Sequence, residues 1–187
     1  MITGQSGAGK GTLIKRLLEL FPQLELAVSA TTRPRRPGEV EGVHYYFITD
    51  EEFGRRLADG EFLEYHAFPW GQRSGTLLSE IDRIGEAGKV CVLELETEGA
   101  LIVADRVPGA VTIFITAPIE ELERRLLERA TESSGEIGER LRVAREQLIV
   151  ADRFDHIVEN DDLERAVGEL SALVRRHAVP AGTMPKR

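Results

Sequence analysis

The chain has 187 residues, of which 42% are hydrophobic and 30% charged, so it is long enough to bury a substantial core as one domain. A net charge of −8 argues against general binding to nucleic acid or anionic membrane, and neither a signal-peptide pattern nor an 18-residue apolar run is present. The single cysteine, Cys91, excludes an intrachain disulfide and is read as a core residue within Val90-Cys91-Val92-Leu93; a cytoplasmic location is expected.

Met1-Ile2-Thr3 reads as a short strand leading into Gly4-Gln5-Ser6-Gly7-Ala8-Gly9-Lys10-Gly11-Thr12. A helical apolar pattern follows at once, with Leu13, Ile14, Leu17, Leu18 and Phe21. Gly4, Gly9 and Lys10 match the phosphate-binding pattern G-x-x-x-x-G-K. Glycines let backbone N–H groups turn toward phosphate oxygens, the helix N-terminus adds its positive dipole end, and Lys10 supplies a cation for β/γ-phosphates. This predicts a nucleotide phosphate site on Gly4–Thr12, including Ser6, Gly7, Ala8 and Gly11. Gly11 stands where Ser or Thr normally offers a hydroxyl to Mg²⁺.

Further on, residues 25–29 read as a strand and 30–39 as a Pro-broken loop carrying Arg33, Arg35 and Arg36. Residues 43–48 are β-rich. A helix follows from Thr49 or Asp50 to Gly60, then a strand over 62–68 and a loop over 69–76. A helix over 77–87 leads into the apolar run 89–95, which has the look of a parallel strand covered on both faces. Residues 99–106 are helical and 111–115 form another buried strand. From 119 to about 151 the chain is helical and charged, interrupted near 131–138, and a strand at 156–159 precedes a closing helix capped by Asn160-Asp161-Asp162. The tail over 179–187 is expected to be disordered. Strand–helix alternation gives an α/β class with a doubly wound parallel sheet and insertions at 30–76 and about 123–148.

Three signatures beyond the phosphate loop carry a resemblance to the guanylate kinase family over nearly the whole chain. They are Val28-Ser29-Ala30-Thr31-Thr32-Arg33-Pro34-Arg35-Arg36-Pro37-Gly38-Glu39 with Gly42 and Tyr45, then Gly60-Glu61-Phe62-Leu63-Glu64, and Glu159-Asn160-Asp161-Asp162. The resemblance implies a P-loop NTPase-type fold with one domain: core 1–29, 77–122 and 149–178, a GMP-binding subdomain over 30–76 and a lid over about 123–148. It implies phosphoryl transfer from ATP to GMP or dGMP with Mg²⁺, and a monomer or homodimer.

The implied roles follow residue by residue. Thr12, in Gly-Lys-Gly-Thr, faces the nucleotide phosphates, and Asn160 touches the adenine edge. Arg33, Arg36 and Tyr45 hold the acceptor phosphate; a guanidinium fork independently suits a phosphate monoester. Glu64 accepts from guanine N1–H and N2–H₂, with Ser29 and Thr76 completing base recognition. Lys10, Arg125, Arg129 and Arg140 stabilise the transferring phosphoryl group, although Glu121, Glu128 and Glu132 could also pair with these arginines as surface ion pairs. Glu94 and Glu96 suit water-mediated Mg²⁺ binding or arginine positioning, and Thr12 or Glu94 could reach the metal through water.

The chain departs from the family pattern at Ser74 (usually Tyr), Glu94 and Glu96 (often Asp) and Glu98 (commonly Gln). Two other readings stay open at this level: a P-loop kinase for another phosphorylated acceptor such as a ribose bisphosphate, and a protein-binding module without activity.

Overall fold

A computed structural model describes residues 1–68, 70–128 and 134–178, and the chain divides into two compact units. One comprises Met1–Pro22 and the chain from Gly109 on; the other is Gln23–Pro108. The tail over 179–187 lies outside the described residues.

In the first unit, strand β1 (Ile2–Gly4) runs into helix α1 (Lys10–Leu20) through the phosphate-loop sequence. The second unit then supplies β2 (Leu24–Leu26), β3 (Ala30–Thr31), β4 (Tyr46–Phe47), α2 (Asp50–Ala58), β5 (Phe62–Ala67), β6 (Arg73–Leu77), α3 (Leu78–Glu86), β7 (Val90–Val92) and α4 (Thr97–Arg106). The chain returns to the first unit with β8 (Ile113–Thr116), α5 (Ile119–Glu128), α6 (Ser134–Ile149), a 3₁₀ turn at Ala151–Arg153, β9 (His156–Glu159) and α7 (Leu163–His177).

The first unit is built on a parallel sheet in the order β1-β8-β9, with Ile2 opposite Ile113 and Ile113 opposite His156. Strands β1 and β8 are buried on both faces, with Phe114 and Ile115 inaccessible to solvent, whereas β9 leaves Ile157 exposed. Helix α1 turns Leu13, Ile14 and Leu17 inward, and α7 turns in Ala166, Val167, Leu170 and Val174. Both follow from the three-and-four spacing of their apolar residues. Asp162 caps α7, its carboxylate accepting the Arg165 N–H at 2.8 Å.

The second unit holds a parallel pair, β2 with β7, and a mixed sheet in the order β4-β3-β6-β5. Helix α2 is capped by Thr49, whose hydroxyl accepts from the Glu52 N–H, and it stops before Gly60 at φ +71°. Phe53 on α2 is fully buried and stacks on Phe62 at a centroid distance of 4.3 Å.

Two segments expected to be loops contain strands. Residues 73–76, read as part of a loop, form β6 together with Leu77, read as the start of a helix, because β3 and β5 pair on either side of them. Gly75 is there because the neighbours are close: a Cβ would stand 2.6 Å from the Glu64 carbonyl oxygen. Ala30-Thr31 likewise pair as β3 before the prolines end the strand. The run 89–95 is shorter than expected, a strand only over Val90–Val92. Cys91 on it is half-buried, and burial pushes its thiol up to about 11. Of the expected break at 131–138, residues 131–133 lie outside the described residues, and 134–138 are not a break but the first residues of helix α6. Among the described residues no helix is long and apolar enough to cross a membrane.

Candidate functional site

The phosphate loop of the first unit is strung between β1 and α1. Gly9 lies in the left-handed region at φ +84°, ψ +24°, and caps α1 without a side chain. A Cβ there would also stand 2.7 Å from Nδ2 of Asn160. No acidic residue occupies the first turn of α1, so its positive end is left for an anion. Lys10 is half-buried, its Nζ donating to the carbonyls of Gly4 at 2.9 Å and Gln5 at 3.2 Å. It therefore curls over the loop it belongs to. A side chain at Gly11 would meet nothing within 4 Å, whereas Thr12 is exposed one residue on.

Behind the loop, Asn160 is 3% exposed and donates from Nδ2 to the Ala8 carbonyl at 2.7 Å; its Oδ1 has no partner among the described residues. Arg125 reaches the same place from α5. Its Nη2 donates to the Asn160 carbonyl at 2.8 Å and Nη1 to that of Ala8 at 3.4 Å, while Nε donates to Glu121 at 2.6 Å. Arg125 is thus both an i,i+4 ion pair and a link to the loop. Arg124, which also donates to Glu121, and Arg125 together hold the Glu121 carboxyl at about 2. Arg140 sits half-buried in the second turn of α6, and Arg129 lies outside the described residues.

In the second unit several residues expected from the sequence to hold the acceptor come together around a sheet edge and the start of α4. Glu64 on β5 is 7% exposed, and its Oε1 accepts from the Thr76 N–H at 3.0 Å and the Thr76 hydroxyl at 2.9 Å. β-pairing opposes the two residues directly, which is why side chains 12 positions apart in sequence meet. Burial raises the Glu64 pKa above its ordinary 4.5; the bonds from Thr76 and the nearby His66 oppose that rise, and the negative charge of Glu96 adds to it.

Arg33 is held by Glu39 through two bonds, Nη2–Oε1 at 2.7 Å and Nη1–Oε2 at 3.0 Å, and lies over the rings of Tyr45 and Phe47 at 5.3 and 5.7 Å. Its fork is consequently fixed before any ligand arrives. The Arg36 N–H also donates to Glu39, while the Arg36 side chain is exposed. These contacts lower the Glu39 carboxyl to about 2. Tyr45 has its hydroxyl pKa raised, first by burial and then by the Glu94 carboxylate, with Glu96 adding to it. Glu94 and Glu96 therefore lie within electrostatic reach of Tyr45, and Glu96 of Glu64. Ser29 is half-buried just before β3, its carbonyl accepting from the Tyr46 N–H.

Several residues that position this machinery escaped the motifs. Glu80, 3% exposed, accepts from the Val28 N–H, the Tyr46 hydroxyl and Nε and Nη2 of Arg83. Gln147 acts similarly, and so do Gln5 and Glu39, which lie inside the quoted motifs without a role of their own there. Only a charged residue inside an otherwise apolar helical stripe, as at Glu80 before Ile84, could have signalled one of them. Among the described residues no three His, Cys, Asp or Glu side chains cluster as metal ligands.

The sequence profile of the family described as guanylate kinase matches residues 1–177. A guanylate kinase of Rubrobacter xylanophilus is 45% identical over 177 residues, spanning 94% of this chain and 92% of that one. The guanylate kinase of Symbiobacterium thermophilum is 42% identical over 175 residues, 93% of this chain and 82% of that one. Among solved structures, guanylate kinase from Anaplasma phagocytophilum matches with a TM-score of 0.75 at 28% identity, over 97% of this chain and 87% of that one.

Proposed function

The chain belongs to the guanylate kinase family, an enzyme family of P-loop fold, and from that premise we propose the chemistry its own residues perform. The coarse activity is phosphorylation of GMP with ATP as donor. In finer terms, the γ-phosphoryl group passes in line and directly to the GMP phosphate, and dGMP serves as well as GMP.

On the donor side, residues 4–12 cradle the ATP phosphates and Lys10 leaves its loop carbonyls to neutralise them. Arg125, Arg129 and Arg140, in the proposed lid of about 123–148, spread over the charge that the transferring group develops. Asn160 supports the nucleotide from behind the loop. On the acceptor side, in the proposed segment 30–76, Arg33, Arg36 and Tyr45 take the GMP phosphate. Glu64, Ser29 and Thr76 read the base, and Glu94 and Glu96 orient the arginines.

The residues present fit Mg²⁺ only in the manner this ion favours. It keeps several waters and takes phosphate oxygens, with one or two protein oxygens at most. Gly11 offers no side-chain oxygen, so Thr12 or Glu94 is the group that would hold it, through water. When bound, the ion supplies charge neutralisation on the ATP phosphates.

One observation carries the acceptor assignment: a buried carboxylate, Glu64, whose Oε1 is tied to Thr76 while no hydrogen bond among the described residues reaches Oε2. An acceptor-only group in that position calls for a ligand with donors, which guanine has at N1 and N2. Coupled ADP release with GMP, dGMP, AMP and no acceptor tests the reading. Turnover with AMP equal to that with GMP would remove it.

A further inference from the structure

Two glutamines outside the motif's defining positions join the phosphate loop to α6. Gln5 is fully buried, and both polar atoms of its amide are engaged. Nε2 donates to the Ala144 carbonyl at 3.0 Å, and Oε1 accepts from the Thr116 hydroxyl at 2.6 Å and the Ala117 N–H at 3.0 Å. One residue later, the Ser6 N–H donates to Oε1 of Gln147 at 3.0 Å. The loop is thereby bonded at two consecutive residues to two sites on one helix.

Ala144 and Gln147 are three apart and share a face of α6, and Arg140 is four before Ala144 on that face. Along the axis Arg140 stands about 6 Å from Ala144 at 1.5 Å per residue. An apolar side chain could fill the volume of Gln5, but it would let the helix slide and turn. Directed bonds at two places fix both translation and rotation.

We propose that Gln5 and Gln147 are positioning residues for Arg140: they set the register of α6 on the phosphate loop, so that the Arg140 guanidinium is presented to the phosphates the loop holds. The inference rests on the proposed role of Arg140 in phosphoryl transfer. Neither glutamine has to touch nucleotide. A shift of α6 misplaces a cation that matters most when charge spreads over the transferring oxygens, so the loss falls on kcat and not on the KM for ATP.

The test measures kcat and KM by ADP release with GMP, on proteins first shown by circular dichroism and melting to be folded. Gln147→Leu removes the acceptor for the Ser6 N–H and should lower kcat roughly tenfold or more, with KM for ATP within about threefold. Gln147→Glu keeps an acceptor oxygen and should recover most of the turnover; Gln5→Met, near in volume, should behave as Gln147→Leu does. In an Arg140→Ala background, Gln147→Leu should cost less than about twofold. Exchange of the Ser6 amide hydrogen should speed up in Gln147→Leu and not in Gln147→Glu.

Equal losses with and without Arg140, or a Glu variant as poor as the Leu variant, overturn the positioning role in an otherwise active kinase. Should the double variant be too slow to follow, the Glu-against-Leu comparison alone decides. A wild-type protein that releases no ADP with GMP overturns the kinase reading itself, and the positioning role with it.

Discussion

Glu64 and Gly99 meet so closely that a Cβ on Gly99 would stand 2.4 Å from Oε2 of the Glu64 carboxylate. Gly99 lies in the first turn of α4, and no side chain other than hydrogen leaves Glu64 where it is. Gly99→Ala should therefore push the carboxylate away from its place beside Thr76. We expect KM for GMP to rise by roughly 10- to 100-fold, the effect of misplacing a reading group by about 1 Å. Binding of a non-hydrolysable ATP analogue, followed by calorimetry, should be unchanged. A Gly99→Ala enzyme with the wild-type KM for GMP would detach Glu64 from base recognition.

Selectivity rests on the same carboxylate. Guanine presents two donors to it, whereas adenine presents an unprotonated N1 whose lone pair opposes a negative charge. Polar sites reject analogues lacking a hydrogen-bond partner by about 10⁴-fold, so AMP, UMP and CMP should be at least about 10³-fold poorer than GMP in kcat/KM. Glu64→Gln should cut GMP efficiency sharply, because its amide turns a donor toward guanine. Steady-state kinetics on the four nucleotides checks both statements.

Acid should weaken GMP use earlier than an ordinary glutamate would dictate. The folded pKa of Glu64 lies above 4.5, and only its charged form reads guanine, so KM for GMP should climb as pH falls through that raised value. For stability the sign is opposite to that of Glu39, Glu52 and Glu121. Those three sit at about 2 in the folded state and lose their contribution as pH falls from about 4.5 toward 2. Charged Glu64 opposes folding above its folded pKa and ceases to do so when protonated. Comparing pH profiles of kcat/KM for wild type and Glu64→Gln isolates it: the acid limb should flatten in the variant.

Lys10→Ala should reduce turnover by at least about 10³-fold, since it removes a fixed cation from the phosphate loop. It should also change melting slightly, because the folded loop loses the bonds from Nζ to Gly4 and Gln5. Turnover near that of wild type in a folded Lys10→Ala protein would exclude the loop from the reaction.

Glu80→Leu tests the support beneath the acceptor segment. It strands the Val28 N–H, the Tyr46 hydroxyl and one end of Arg83, whose other partner is Glu25 at 2.6 Å. Arg83 is half exposed, which discounts the ion pair, so the cost should be about 2–3 kcal/mol and the fall in melting temperature roughly 5–10 °C. Calorimetric melting measures it. Because hydrogen bonds from Arg83, Val28 and Tyr46 overcome burial and hold the Glu80 pKa below 4.5, its contribution is present at neutral pH and fades as pH falls.

What could be read along the chain was whatever is written in local order. The phosphate loop is nine consecutive residues whose glycines and lysine act on their own neighbours, and α1, α2 and α7 announce themselves by apolar spacing and by caps at Thr49 and Asp162. The strand β6 was not legible, because nothing in Arg-Ser-Gly-Thr favours extension except the two strands that flank it in space.

The sequence by itself determined the chemistry on offer: which residues carry cations, forks and carboxylates, and that a helix follows the phosphate loop. Only the tertiary structure decided which of these are held, and by what. Arg33 and Glu39 pair six residues apart on a proline-stiffened loop, and the same guanidinium lies over the rings of Tyr45 and Phe47. Gln5 meets Ala144 across 139 residues and Glu64 meets Thr76 across a strand pair. A side-chain amide or a buried carboxylate has no periodicity to betray it; its partner is chosen by the close packing of elements far apart in sequence.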